Sequence, residues 1–225
     1  MLKVRQEGIG SIVEFGCGLG YYTEMLAANT HARVVDVNVA GTLDALVVIY
    51  FVQGKLAEAT PLAQRALSIY ELRVGKNARE LVSPIKMLGA IDLMKGDLDK
   101  SEPLLKRAVK LSRKFFGKRH TEIAKQLGNL GALCMAREKP AKARRYFEEA
   151  LTIWGENPDP VYGVMTMVNL AKVHANDGDR DRADSLFRKA LALREQAFGQ
   201  DHPQTRNIAD SYAEFQKKAG ISGKP

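Results

Sequence analysis

The sequence predicts an all-α chain in which about four helix pairs stack as an α-solenoid and a final helix closes the stack. Three observations carry this. Ala, Leu, Lys, Arg and Glu dominate a chain that is 45% hydrophobic and 27% charged, a composition that favours soluble helices. Two markers recur in step along the 225 residues. The turn-to-small-residue segments Gly54–Ala59, Gly96–Ser101, Glu138–Ala143 and Gly178–Ala183 are separated by 42, 42 and 40 residues, and so are Ala66-Leu67, Ala108-Val109, Ala150-Leu151 and Ala190-Leu191. Finally, Ala143, Phe147 and Ala150, and again Ala183, Phe187 and Ala190, are spaced by four and three, which puts each trio on one helix face.

The elements follow in order. Residues 1–35 form a Gly-rich lead-in, with a short helix expected at 21–29. The repeats occupy residues 36–219, in units of about 36–77, 78–119, 120–160 and 161–201. Each unit reads as two helices. The first helices pass through Leu46, Leu88, Leu130 and Leu170, followed by Val47, Gly89, Gly131 and Ala171, where a small residue lets a neighbouring helix approach. The pattern Val39, Leu43, Leu46, Ile49 and Tyr50 supports a helix beginning near Asp36. Gly54, Gly96 and Gly178 stand where a tight turn needs a permissive backbone, and Glu138 takes that place in the third unit. Asp97 and Asp179 are placed to cap the second helices, and Pro140 falls at a helix start, where its missing N–H costs little. The closing helix is expected at 205–219, with Tyr212 and Phe215 inward and Lys217 and Lys218 outward. Residues 220–225 read as a flexible tail.

The Leu-Gly pairs at 88–89 and 130–131, the Asn-Leu pairs at 129–130 and 169–170, and the Ala-Leu pairs at 66–67, 150–151 and 190–191 resemble the tetratricopeptide repeat family. The joints Phe116-Gly117-Lys118-Arg119-His120 and Phe198-Gly199-Gln200-Asp201-His202-Pro203 are similar to the longer repeat of kinesin light chains. Asp92 and His174 depart from it at a position usually held by Tyr, which Tyr50 keeps. The third joint, Trp154-Gly155-Glu156-Asn157-Pro158-Asp159-Pro160, is shortened, which should shift stacking only locally. The resemblance implies a right-handed superhelix and a scaffold that binds proteins without catalysis or a cofactor.

It also implies a concave groove lined by the first helices. The matching positions are Asp44, Val48, Phe51, Lys86, Ala90, Leu93, Lys125, Gly128, Asn129, Ala132, Met135, Met165, Val168, Asn169 and Lys172. Asn129 and Asn169 match asparagines that bond an extended peptide backbone, a task suited to an amide that both donates and accepts. The other reading is that they tie neighbouring helices together. Lys86, Lys125 and Lys172 could meet acidic residues. Val48, Ala90 and Gly128 stand at positions where chaperone-tail binders carry polar groups, which argues against such tails. Phe51, Leu93 and Met135 suit a hydrophobic or mixed segment.

Val13-Glu14-Phe15-Gly16-Cys17-Gly18-Leu19-Gly20 resembles the first motif of S-adenosylmethionine-dependent methyltransferases, with Val34–Asn38 similar to the second strand. A doubly wound domain needs more than about 100 residues, and the repeats begin by about residue 40. The segment is a remnant without activity or a coincidental lead-in.

The net charge is +8, and fifteen Lys/Arg against five Asp/Glu fall between Lys95 and Arg145. Lys106, Arg107, Lys110, Arg113, Lys114, Lys118, Arg119, Lys142, Arg144 and Arg145 could form a basic ridge for nucleic acid or an acidic partner. A solvated helix face kept soluble by charge is the alternative. The histidines are scattered, so no metal site is expected, and no phosphate loop or nucleophile elbow is present. Glu7 and Glu14 interrupt any leader-like apolar core, and no stretch is long and apolar enough to span a membrane. Cys17 and Cys134 lie far apart, Cys134 in an apolar stretch, which fits a buried thiol and a reducing cytoplasm. Val37, Val39 and Val47–Phe51 on the first repeat could pair with a second chain, making a dimer.

Overall fold

The computed structural model describes residues 30–156 and 158–220, and side-chain surroundings from residue 38. The Gly16–Gly20 loop, Cys17, the expected helix at 21–29 and the tail beyond 220 lie outside the described residues. Within them are nine α-helices, one 3-10 turn and no strand. The helices are α1 Thr30–Val52, α2 Leu56–Val74, α3 Val82–Lys95, α4 Leu98–Phe116, α5 Thr121–Ala136, α6 Pro140–Trp154, α7 Tyr162–Asn176, α8 Arg180–Phe198 and α9 Pro203–Ala219. The chain divides into two compact units, residues 1–91 and 92–225.

In the first unit, α1 packs along α2. Ala40, Leu43 and Val47 of α1 are buried, as are Ala59, Ala63, Ala66 and Tyr70 of α2. Two sequence expectations change here. Val34–Asn38, likened to a strand, lies inside α1, because the apolar spacing of the whole segment is helical. The buried face is also rotated: Val47 is fully buried, whereas Leu46 is exposed.

In the second unit, one core cluster joins Leu105 and Val109 of α4, Ile123, Leu127 and Leu130 of α5, and Ala150 and Trp154 of α6. A second joins Cys134 of α5, Ala143 and Phe147 of α6, and Leu170 and Val173 of α7. A third holds Val164, Met167, Val168 and Ala171 of α7, Ala183, Phe187 and Ala190 of α8, and Ile208 and Phe215 of α9. The small-large-small trios are the buried faces of α6 and α8, so each of these two helices inserts one aromatic ring between two alanines. Phe147 meets the Leu-Gly pair: a Cβ on Gly131 would stand 2.3 Å from its ring. At the chain's end Phe187 stacks on Tyr212 and Phe215, with centroids 5.5 and 5.4 Å away. The Tyr212 hydroxyl donates to Asp184 at 2.6 Å, so the closing helix is both packed and pinned.

The turns explain the punctuation in the sequence. Gly54, Gly96 and Gly178 have φ of 73°, 81° and 80°. Glu138, at 55°, is the one non-glycine with positive φ among the described residues, a backbone that costs an L side chain about 1 kcal/mol. The joints carry their own caps. His120 Nδ1 accepts from the Glu122 N–H at 3.2 Å, and His202 Nδ1 from the Gln204 N–H at 3.3 Å. Phe116 and Phe198 hold those rings by contact, with centroids 4.7 and 5.1 Å apart. The shortened third joint substitutes a carboxylate: Asp159 Oδ1 accepts from the N–H groups of Val161 and Tyr162 at 2.9 and 2.7 Å. Asp179 caps α8 through the Arg182 N–H. Asp97 makes no side-chain cap on α4; its carboxylate turns to Lys100 at 3.2 Å instead.

Two substitutions test this packing. Glu138→Gly should raise stability by up to about 0.5 kcal/mol, the amount by which relief of the positive-φ strain exceeds the added entropy of the unfolded chain. Gly131→Ala should lower it by about 1–3 kcal/mol, because the Phe147 ring must move in a full core. Urea unfolding midpoints at constant m-value measure both.

Candidate functional site

The second unit contains a groove between α7 and α9. Its two pockets, of about 480 and 370 Å³, share Lys172 and Ser211. Helical spacing aligns its walls. Met165, Val168 and Lys172 of α7 fall three and four residues apart and face Gln204, Asn207, Ile208 and Ser211 of α9. Farther along, Ala175 and Asn176 face Glu214, Phe215 and Lys218, while Met135 and Phe187 also line that pocket. Phe187, Ile208 and Phe215 belong to the core beneath, so the floor is rigid and apolar. The rim is cationic and polar. Glu214 is the one carboxylate lining either pocket. Its hydrogen bond from Lys218 and the nearby Lys172 charge hold it below the usual glutamate range.

The residues expected to line a groove divide among several settings. Met135, Met165, Val168 and Lys172 line these pockets. Val168 is only 2% exposed and is first a core residue. Lys125 is committed locally, paired with Glu122 at 3.1 Å and lying 5.0 Å over the Tyr162 ring. Asn129 on α5 and Asn169 on α7 are half-buried. Neither amide has a hydrogen-bond partner among the described residues. Leu93, half-buried, packs against the core cluster of α4–α6. The groove residues that sequence reasoning missed include Arg180, Arg194, Gln204, Asn207, Ser211, Glu214 and Lys218.

In the first unit, Val48 is exposed and Phe51 half-buried. Asp44 is largely removed from water, and its Oδ1 is buried without a partner. Burial pushes its carboxyl up to about 6, against the pull of a Ser83 hydrogen bond and the Lys86 charge. Burial, with the Asp44 and Glu80 charges, pushes the Tyr70 hydroxyl up to about 12.

The basic segment is less bare than its composition suggests. Lys106 pairs with Glu102 at 2.6 Å, Arg113 with Glu149 at 2.6 Å, and Arg144 with Asp177. Arg137 reaches Asp99 and Glu102 at 2.6 and 2.8 Å. Arg107 is half-buried and engaged. Lys110, Lys114, Lys118, Arg119, Lys142 and Arg145 are exposed and have no ion pair among the described residues. Lys106, Lys110 and Arg113 surround a pocket of about 310 Å³ beside Tyr146. Cys134 is a free, buried thiol whose pKa burial raises. Among the described residues no cluster of His, Cys, Asp or Glu could hold a metal ion, and no helix is long and apolar enough to cross a membrane.

Residues 83–156 match one tetratricopeptide repeat model, and residues 39–77 and 164–204 match another of the same description. No curated protein matches the chain at the sequence level. Among solved structures, BtubC (BKLC) from P. vanneervenii superposes with a TM-score of 0.62 at 20% identity, covering 82% of this chain and 77% of that one. A kinesin light chain candidate from Podosopora anserina with nearly identical TPR-like repeats gives 0.63 at 15% identity, covering 83% and 89%, and a point variant of it gives 0.64 at 16%. At these identities the likeness establishes the fold.

The Asp44 carboxyl generates a pH prediction. Its folded pKa, about 6, lies above the ordinary aspartate value of 3.8, so the native state binds the proton more tightly than the unfolded chain. Its contribution is therefore most favourable below pH 3.8 and is lost as pH rises through about 6. Asp44→Asn, which stays neutral, should be more stable than the parent at pH 7 and should lack the parent's decline between pH 4 and 6. Urea midpoints across that range measure the difference.

Proposed function

This chain belongs to the tetratricopeptide-repeat proteins, and from that premise we propose that it binds a segment of another protein in the groove between α7 and α9. Such repeats generally mediate protein–protein interaction, and their relatives are typically scaffolds rather than enzymes. The observation that carries the reading is the groove's construction: a rigid apolar floor of Val168, Phe187, Ile208 and Phe215 under a rim of Lys172, Lys218, Asn207 and Ser211. Apolar side chains of a guest would bury against the floor, while the rim meets its backbone and acidic groups. The unpartnered amides of Asn129 and Asn169, on the neighbouring first helices, extend the polar contacts beyond the pockets. The action proposed is recognition alone, in a cytoplasmic setting consistent with the free thiol at Cys134.

A second reading places an acidic partner or nucleic acid on the cations around residues 106–119 and 142–145, favoured by the six that carry no ion pair among the described residues. The two separate in one experiment. Proteins captured from native lysate by the parent chain should be lost from an Asn129→Ala, Asn169→Ala double variant. Two lost hydrogen bonds cost about 1–3 kcal/mol, a weakening of roughly five- to a hundredfold. The same proteins should be retained by Lys110→Glu, Lys114→Glu. The opposite pattern, with binding that collapses as salt rises, moves the site to the basic face.

A further inference from the structure

Arg194 is a charge in an unusual place. It lies in the next-to-last turn of α8 and is 1% exposed, the largest fully buried side chain among the described residues. Burial of a guanidinium is ordinarily matched by a carboxylate. Here no ion pair exists among the described residues. One terminal nitrogen donates to Gln204 Oε1 at 2.7 Å, and the other donates to the Val161 carbonyl at 3.3 Å. Nε is buried with no partner. Asp159, the acidic group acting on it electrostatically, spends its Oδ1 on two backbone N–H groups of the joint. A full positive charge is thus held by neutral acceptors and by the face of the Phe198 ring, 5.4 Å from the guanidinium carbon, with Nε unpartnered, in the wall of the pocket of about 370 Å³.

The neighbours on that wall are suited to an anion. Lys172 is exposed and has no ion pair among the described residues, and Asn207 and Ser211 add polar side chains. Gln204 is exposed, in the first turn of α9. Its amide can therefore leave Arg194 for solvent when another acceptor takes its place.

We propose that Arg194 is a carboxylate-recognition residue, and that a side-chain carboxylate of the bound segment displaces the Gln204 amide from its guanidinium. A carboxylate offers the same acceptor geometry as the amide oxygen, adds the missing countercharge, and leaves a second oxygen for the polar wall of the pocket, which includes Lys172. The inference deepens the groove reading by giving the guest an acidic residue beside its apolar ones.

The probe is glutarate, a small dicarboxylate, titrated into the full chain at an ionic strength held constant with chloride. The readout is the Nε–Hε resonance of Arg194 in an arginine-labelled sample, assigned by its absence from Arg194→Met. The expected result is a saturable shift whose midpoint falls roughly three- to tenfold in Gln204→Ala, where the competing amide is gone. No saturable shift, or a midpoint unchanged by Gln204→Ala, overturns the proposal and leaves Arg194 as a tie between α8, the third joint and α9. Should Arg194→Met fail to fold, the milder Arg194→Lys supplies the assignment, and the comparison of parent with Gln204→Ala then decides. The titration does not use the apolar floor, so a negative result leaves the groove itself to be judged by the asparagine variants.

Discussion

The structure depends on a constraint that no helix pair here can satisfy alone. The second helices α6 and α8 each carry one large apolar residue between two alanines, and that residue must be covered from both the preceding and the following helix. Phe147 shows this most plainly. Its ring lies against Gly131 of the helix before it and shares a core cluster with Leu170 and Val173 of the helix after it. The stripe of small residues is the negative of that ring. Stability is therefore a property of seams between neighbours, and the last seam needs a terminating helix. Phe187, Tyr212 and Phe215 supply it.

That repetition is why so much of the fold was legible. Two markers in step fix the pairing of helices, because a periodic structure imposes the same steric demand at the same register. The glycine turns were legible for the same reason. What escaped was whatever depends on a side chain's second choice. Asp97 and Asp179 look equivalent in the sequence, yet Asp179 caps its helix and Asp97 turns to Lys100. In the sequence the joint histidines are only members of a recurring joint, whereas each caps the next helix with Nδ1 while its ring rests on the preceding Phe. An aromatic, a turn glycine and a histidine in fixed order are one mechanical unit, and the shortened joint replaces it with Asp159.

The site was legible only in part. Charge counted along the chain overstates the basic ridge, because Glu102, Glu149 and Asp177 come from other turns or helices to meet Lys106, Arg113 and Arg144. Arg194 was passed over for the converse reason: among Arg180, Arg182, Arg188 and Lys189 it reads as one more surface cation. A signal was nonetheless present. It stands four residues after the alanine of the Ala-Leu marker, the register position of Tyr70, Ser112 and Trp154, and all four are buried. A guanidinium at a core register is itself the sign, because a buried charge needs a partner.

The register also accounts for where the groove opens. Where α5 has Gly128, α7 approaches until the Thr166 hydroxyl would stand 3.1 Å from an added Cβ, and that seam is shut. The repeat register carries Gly128 onto Val168 of α7. Its branched side chain stands between α7 and α9, in the same cluster as Ile208 and in the wall of the pocket. With a valine in place of a glycine, a branched side chain stands in this seam, and the space beside it is lined by what the flanking helices present there. Val168 is thus both a core residue and part of the wall of the site, which explains how a position matched to a ligand-facing residue of the family can be buried. The closing helix finishes the core with Phe215 and Ile208, and on its adjoining face it supplies Gln204, Asn207 and Ser211 to the groove. Capping the solenoid and building the site are then two consequences of one helix held at one distance.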